Sequence, residues 1–280
     1  VPLARVNGIS LGYDVHGRGD STVVLVTGTG APGRIWRTHQ VPALVAAGHR
    51  VVTLDNRGIA PTDAGPGPFT LTDLAADVAA LISWLGAGPC GVVGFSLGAM
   101  IVQELLLDRP ELVTGAVLMA TRGRTDALAA AMSAAEIELC DSGIRLPAKY
   151  AAYLHAMHSL SPRTLRDENS LRDWLDIFEL SSVDLSSVRG QLGLEAIDNR
   201  LGAYGAIRCP TLVIAFADDR IVRPELCREV ADSIPGSEFL ELQGCGHYGN
   251  LERPDEVNSA LVEFFGRQAM SATSGRAIAR

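Results

Sequence analysis

The segment Cys90-Gly91-Val92-Val93-Gly94-Phe95-Ser96-Leu97-Gly98-Ala99-Met100-Ile101-Val102 runs from a β-branched stretch, through a turn flanked by glycines, into residues that are apolar nearly all round. Cys90 to Gly94 reads as a strand covered on both faces, because a continuous apolar run offers no polar side to water. Leu97 to Leu107 reads as a central, buried helix for the same reason. A strand that turns sharply into a buried helix is the unit of a parallel sheet, and the rest of the chain repeats it.

Outward from this segment, Thr22-Val23-Val24-Leu25-Val26 and Arg50-Val51-Val52-Thr53-Leu54 are further doubly covered strands on the N-terminal side. Gly115 to Met119, Thr211 to Ala215 and Glu238 to Leu242 follow on the C-terminal side. Leu74, Val78, Leu81, Ile82 and Leu85 recur at helical spacing, with Thr70 and Asp73 as a capping pair and Gly86 as the stop. A last helix starts near Pro254 and buries Val257, Leu261 and Phe264/Phe265. Alternation of this kind implies a doubly wound α/β sheet. It breaks between about 121 and 206, where helical segments around Leu128 to Cys140, Pro147 to His158 and Arg163 to Leu180 contain no convincing strand. The expected organisation is a core of residues 1–120 and 207–267, a helical cap of 121–206, and a flexible tail of 268–280.

Composition excludes several classes of function. A net charge of −8 disfavours nucleic acid and anionic membrane as main partners, since both reward a basic surface. No apolar run is long enough to cross a bilayer, and Val1 to Gly12 has no signal-like hydrophobic stretch. The five cysteines are scattered and form no Cys-x-x-Cys, which fits reduced thiols in a cytoplasm. Lys149 is the one lysine among 24 basic residues, and alanine is abundant, a usage that fits a GC-rich bacterial genome. Oligomeric state is not legible at this level.

Gly94-Phe95-Ser96-Leu97-Gly98 is a Gly-x-Ser-x-Gly motif in the strand-turn-helix setting that such chemistry needs. The sharp turn lifts the serine above the sheet, and the flanking glycines let strand and helix approach closely. The helix N-terminus supplies amide donors where an oxyanion would form. Ser96 requires a base, and His247, directly after the last strand, is best placed. The loops around His16, His39 and His49 suit solvated or core roles better. His155 and His158 are three apart on a cap helix, but no third ligand accompanies them, so no metal is expected. The base requires a carboxylate, and Asp218 or Asp219 would serve; Asp219 is preferred because Arg220-Ile221-Val222 anchors a turn behind it. Backbone amides of Leu97 and Thr29 are the expected oxyanion donors. The turn Thr27-Gly28-Thr29-Gly30 lacks the Gly-Lys-Ser/Thr ending of a phosphate loop. Gly28-x-Gly30-x-x-Gly33 is weak evidence for a dinucleotide, with Asp55 the only acid in reach of a ribose, so no cofactor is expected. Asp55-Asn56-Arg57-Gly58 reads as a turn with a buried ion pair. Trp36, Tyr153, Met157 and Trp174 are candidate substrate-pocket residues.

Three stretches, Val23 to Thr62, Gly94 to Gly98 and Gly244-x-Gly246-His247-x-x-x-x-Glu252-x-Pro254, together resemble α/β-fold hydrolases. Within these, the chain is most similar to the enol-lactonase, esterase and cofactor-free haloperoxidase-like branch. The resemblance implies an eight-stranded, mostly parallel sheet with a helical cap after the sixth strand, and supports Ser96, Asp219 and His247 as a triad. The chain departs from the family pattern at four places. Phe216 stands where a glycine opens the turn to the acid, and Thr27 replaces a histidine before the oxyanion glycine. Ala60 and Thr62 replace a glycine and a serine. The expected activity is hydrolysis of an ester or lactone of a small apolar molecule. The alternative keeps the triad for elimination of an acyloxy group or carbon–carbon cleavage, as in bacterial secondary metabolism. A non-catalytic binding protein would be expected to show an eroded triad, and this one is complete.

Overall fold

The chain was analysed as a computed structural model, which describes residues 1–181, 185–194 and 196–278. Among them the apolar runs assemble into one eight-stranded sheet of β1 (Leu3–Val6), β2 (Ile9–His16), β3 (Ser21–Val26), β4 (His49–Leu54), β5 (Cys90–Phe95), β6 (Val113–Met119), β7 (Thr211–Phe216) and β8 (Glu238–Leu242). Their order is β1-β2-β4-β3-β5-β6-β7-β8. β2 runs antiparallel to both its neighbours, and every pair from β4 to β8 is parallel. Strands β5 and β7 are buried at every position, which is why they show no alternation in sequence. In the β1–β2 hairpin, which the sequence reading did not resolve, β1 alternates exposed and buried residues at the sheet edge.

Helices α1 (Gln40–Ala46), α2 (Leu71–Trp84) and α3 (Leu97–Asp108) connect the first strands. α2 begins in a capping box: Asp73 N–H donates to Thr70 Oγ1, and the Asp73 carboxylate accepts from Thr70 N–H. Gly86, at φ +57°, ends it in the left-handed conformation. His49, at the start of β4, is buried with its Nδ1 2.7 Å from Ser21 Oγ and its ring edge-on to Phe265.

Between β6 and β7 lie α4 (Ala127–Ser142), α5 (Ala148–Ser159), α6 (Pro162–Arg166), α7 (Glu168–Leu180), α8 (Leu185–Leu192) and α9 (Leu201–Tyr204). They form two groups. α5 packs on α7 around Ala152, Ala156, Leu160 and Phe178, whereas α4 packs on α8 around Val188 and Leu192 with Ile59 of the core. Gln103 of α3 ties both ends of this stretch to the nucleophile helix. Its amide donates to Arg122 O at 3.1 Å and to Tyr204 Oη at 2.6 Å, and it accepts from Thr121 Oγ1.

Helices α10 (Pro224–Ser233), α11 (Gly249–Glu252) and α12 (Pro254–Ile278) complete the chain. α12 carries helical backbone through most of 268–280, the stretch read from sequence as a flexible tail. Val257, Leu261, Phe264 and Phe265 bury its first turns against the core, and no proline follows to stop a helix already nucleated.

Candidate active site

The turn from β5 into α3 places Ser96 at φ +54°, ψ −120°, a sparsely populated conformation for a residue with a side chain. Close packing over-determines it. A Cβ on Gly94 would lie 2.4 Å from Gly98 O, and one on Gly98 would lie 2.2 Å from Val26 O. Ser96 N–H donates to Met119 O at 3.0 Å, which ties the turn to β6. The two glycines of the motif are thus required by backbone approach.

His247 and Asp219 arrive on the loops after β8 and β7. His247 Nε2 lies 3.1 Å from Ser96 Oγ, and His247 Nδ1 lies 2.8 Å from Asp219 Oδ2. Ser96, His247 and Asp219 are 8%, 6% and 3% exposed. The other carboxylate oxygen, Oδ1, accepts Ile221 N–H at 2.8 Å and Val222 N–H at 2.9 Å. These bonds distinguish Asp219 from Asp218, whose backbone N–H instead donates to Cys245 O at 3.0 Å. The order Ser96 to His247 to Asp219 is the geometry of nucleophile, base and orienting acid.

Three departures noted in sequence are absorbed locally. Phe216 still accepts Asp219 N–H at 3.0 Å, so the acid turn closes. Its ring is fully buried against Gly249, where a Cβ would come within 2.2 Å of it. Thr27 Oγ1 donates to Ala31 O at 2.9 Å and closes the glycine-rich turn from inside. Thr62 Oγ1 donates to Asp55 O and accepts Gly12 N–H, each at 2.8 Å.

The glycine-rich turn stands beside Ser96, since a Cβ on Gly28 would be 3.2 Å from Ser96 Cβ. Leu97 is the first residue of α3, and its amide belongs to the helix-terminal donors that have no carbonyl one turn back. Thr29 lies within the turn. The Asp55-Asn56-Arg57 run supports it from behind. Asp55 Oδ1 accepts Gly33 N–H at 2.7 Å, and Asn56 Nδ2 donates to Thr27 O at 3.0 Å. Arg57 forms a buried two-point ion pair at 2.5 and 2.8 Å, with Asp77 of α2 as its partner. Sequence gave no hint of Asp77, because helical spacing marks it only as one polar residue among apolar ones.

The candidate pocket residues divide. Trp36 is fully buried in the core, edge-on to Phe95 at 6.4 Å, and does not reach solvent beside Ser96. Tyr153 and Met157 are exposed on α5. Each is two residues from His155, hence about 200° round the helix from it, and His155 is the side chain that faces the catalytic loop. Trp174 stacks on Tyr248 at 5.9 Å. Tyr248 follows His247 directly, its ring 5.9 Å from the imidazole, while Phe95 lies 5.0 Å from that imidazole on another side. His155 Nε2 and Tyr248 Oη share a hydrogen bond of 3.0 Å, and the His155 ring stacks on Phe178 at 4.2 Å. Burial pushes the Tyr248 phenol up to about 12.

Two polar residues were missed. Glu252 accepts Gly246 N–H at 2.6 Å and Ser161 N–H and Oγ at 3.0 and 2.7 Å, which fastens the His247 loop to the helical layer. Gln191 reaches from α8 to the glycine-rich turn. Long-range pairings of this kind leave no periodic mark in sequence. Among the described residues no three His, Cys, Asp or Glu side chains converge as a metal site requires, and no helix is long and apolar enough to cross a membrane.

His49, His16 and His155 are held below the ordinary imidazole range, in each case first by burial. For His155, the charges of His247 and His158 lower it further. The unfolded chain therefore binds more protons than the fold as pH drops below about 6.5, and stability falls with it. Urea midpoints are expected to decrease between pH 7.5 and 5.5, above the range in which carboxylates titrate. His49→Asn should flatten the slope, and a midpoint independent of pH over this interval would contradict the assignment.

A family model described as "Alpha/beta hydrolase family" matches residues 23–260. "Putative non-heme bromoperoxidase BpoC" of Mycobacterium tuberculosis is 46% identical over 258 residues, covering 92% of this chain and 98% of the relative. Its crystal structure superposes with a TM-score of 0.88 over 92% of this chain and 96% of that one, at 44% identity. "Putative carbamate hydrolase RutD" of Variovorax paradoxus is 32% identical, covering 92% and 96%. The enol-lactonase of Burkholderia xenovorans shares the fold, with a TM-score of 0.82 at 24% identity over 95% of this chain and all (100%) of that one. A match of this length, on a sheet of this order with a nucleophile turn between β5 and α3, means that the chain belongs to the alpha/beta hydrolase family.

Proposed function

We propose that the protein hydrolyses an ester or lactone of a small apolar metabolite through an acyl-enzyme on Ser96. The unbroken hydrogen-bond line from Ser96 Oγ through His247 to Asp219 carries this reading. His247 Nε2 takes the serine proton as Oγ attacks the carbonyl, and Asp219 stabilises the imidazolium. The amides of Leu97 and Thr29 hold the oxyanion. The imidazolium then protonates the leaving alcohol, and the same nitrogen activates the water that releases the acid. In a lactone, alcohol and acid leave as one molecule.

The wall on the His247 side supports an apolar substrate. Phe95 and Tyr248 both lie against the imidazole, Trp174 stacks on Tyr248, and the Tyr248 hydroxyl is already hydrogen-bonded to His155. A leaving group seated against this wall would gain from aromatic contact and lose from carrying charge.

A fluorophosphonate probe tests the nucleophile directly. Intact-mass analysis is expected to find one adduct per chain, on the peptide containing Ser96, and slow esters should yield an acyl adduct at the same site. Turnover of an ester with no adduct at Ser96, and with full dependence on His247, would overturn this reading in favour of base-catalysed elimination or carbon–carbon cleavage.

A further inference from the structure

We propose that Gln191, on the cap helix α8, is a positioning residue that sets the oxyanion turn; this rests on the hydrolase reading above. Gln191 is 1% exposed. Its Oε1 accepts Gly30 N–H at 2.8 Å, and its Nε2 donates to Arg57 O at 2.8 Å. Both polar ends of one neutral side chain are therefore spent on backbone, one on each of two loops that flank the nucleophile.

The turn chemistry shows what this accomplishes. Ala31 N–H donates to Gly28 O at 3.2 Å, closing a four-residue turn over Gly28-Thr29-Gly30-Ala31. Gly30 occupies its third position at φ +70°. Turns of this kind exist in two forms that differ mainly by a flip of the central peptide, here Thr29–Gly30, and the form with positive φ at the third position calls for glycine. The Gly30 N–H is the donor of that central peptide. By accepting it, Gln191 selects one flip, while Ala31 fixes the preceding Gly28–Thr29 peptide through its carbonyl. The Thr29 N–H belongs to the latter plane, which is joined at the Thr29 Cα to the peptide that Gln191 holds, so Gln191 seats one side of the turn that presents this amide.

The second bond gives the side chain a fixed platform. Arg57, whose carbonyl receives Nε2, is itself locked by the Asp77 ion pair. Gln191 thereby acts on the oxyanion turn without touching substrate.

Gln191→Leu keeps bulk and removes both polar atoms. Losing one oxyanion donor outright costs about 10²–10³-fold, so misaiming one should lower kcat by about 10–100-fold, with KM within about threefold. Affinity for an alkyl boronic acid, which forms a tetrahedral oxyanion adduct on Ser96, should fall in parallel, while affinity for a carboxylate product stays unchanged. Gln191→Glu retains the acceptor for Gly30 N–H and should show a smaller loss in both readouts. Arg189→Ala, which breaks the Arg189–Asp141 ion pair on the same helix, should leave kcat as it is.

Wild-type kcat in Gln191→Leu, or a rise in KM with unchanged boronate affinity, would overturn the role. If Gln191→Leu does not fold, Gln191→Glu is read alone: parallel loss of kcat and boronate affinity supports the role, and unchanged values overturn it. Turnover surviving in Ser96→Ala would instead overturn the hydrolase reading, whereas an inert Ser96→Ala beside a fully active Gln191→Leu removes only the role given to Gln191.

Discussion

Ser96→Ala is expected to lower kcat on an ester substrate by about 10⁶-fold, the scale seen when a triad serine is removed from a working hydrolase. Without Oγ, His247 has no hydroxyl to deprotonate, and the remaining route is direct attack by water. That route still benefits from the Leu97 and Thr29 amides, so a residual acceleration of about 10³-fold over water should persist. The fold should be unaffected. The turn is held by Ser96 N–H on Met119 O and by glycine contacts at Gly94 and Gly98, none of which involve the hydroxyl. Initial rates, with the melting temperature as control, measure both. A folded Ser96→Ala with wild-type turnover would exclude Ser96 as the nucleophile.

Asp219→Asn is expected to cost about 10⁴-fold in kcat, and the bonding around Asp219 explains why so small a change does so much. Oδ1 already accepts two backbone donors, from Ile221 and Val222. The new NH₂ group cannot face those donors without repulsion, so it must face His247 Nδ1. There it forces Nδ1 to be the acceptor and moves the ring proton to Nε2, the nitrogen that must receive the Ser96 proton. The geometry survives and the tautomer is wrong. Loss of kcat with the melting temperature and KM retained is the expected signature; activity within tenfold of wild type would rule out Asp219 as the orienting acid.

The nucleophile turn was readable because its cause is local. Gly94, Ser96 and Gly98 lie within five consecutive residues, and the apolar character of the flanking strand and helix follows from burial on all sides. The same holds for the α2 capping box and for the buried strands. The β1–β2 hairpin escaped because an edge strand buries one face and its pattern is brief. Tyr153 and Met157 show a related limit. Their apolar character suggested a pocket, but only the rotation of α5 about its axis, set by packing on α7, decides that His155 meets Tyr248 while they are exposed on other faces.

Sequence by itself determined the order of the elements, the nucleophile turn, and a short list of partners for Ser96, since each depends on neighbours a few positions apart. Only the tertiary structure shows which of those candidates lie within hydrogen-bond reach of one another, and it supplies the supports. Asp219 over Asp218 rests on two amides in its own turn and on a histidine 28 residues away. Phe216 is tolerated because Gly249 leaves it room, and the oxyanion turn is braced by Gln191 from 161 residues beyond it. Such contacts satisfy single buried polar or apolar groups across distant segments. They carry no repeat and no spacing, so they exist in the fold and not in the order of residues.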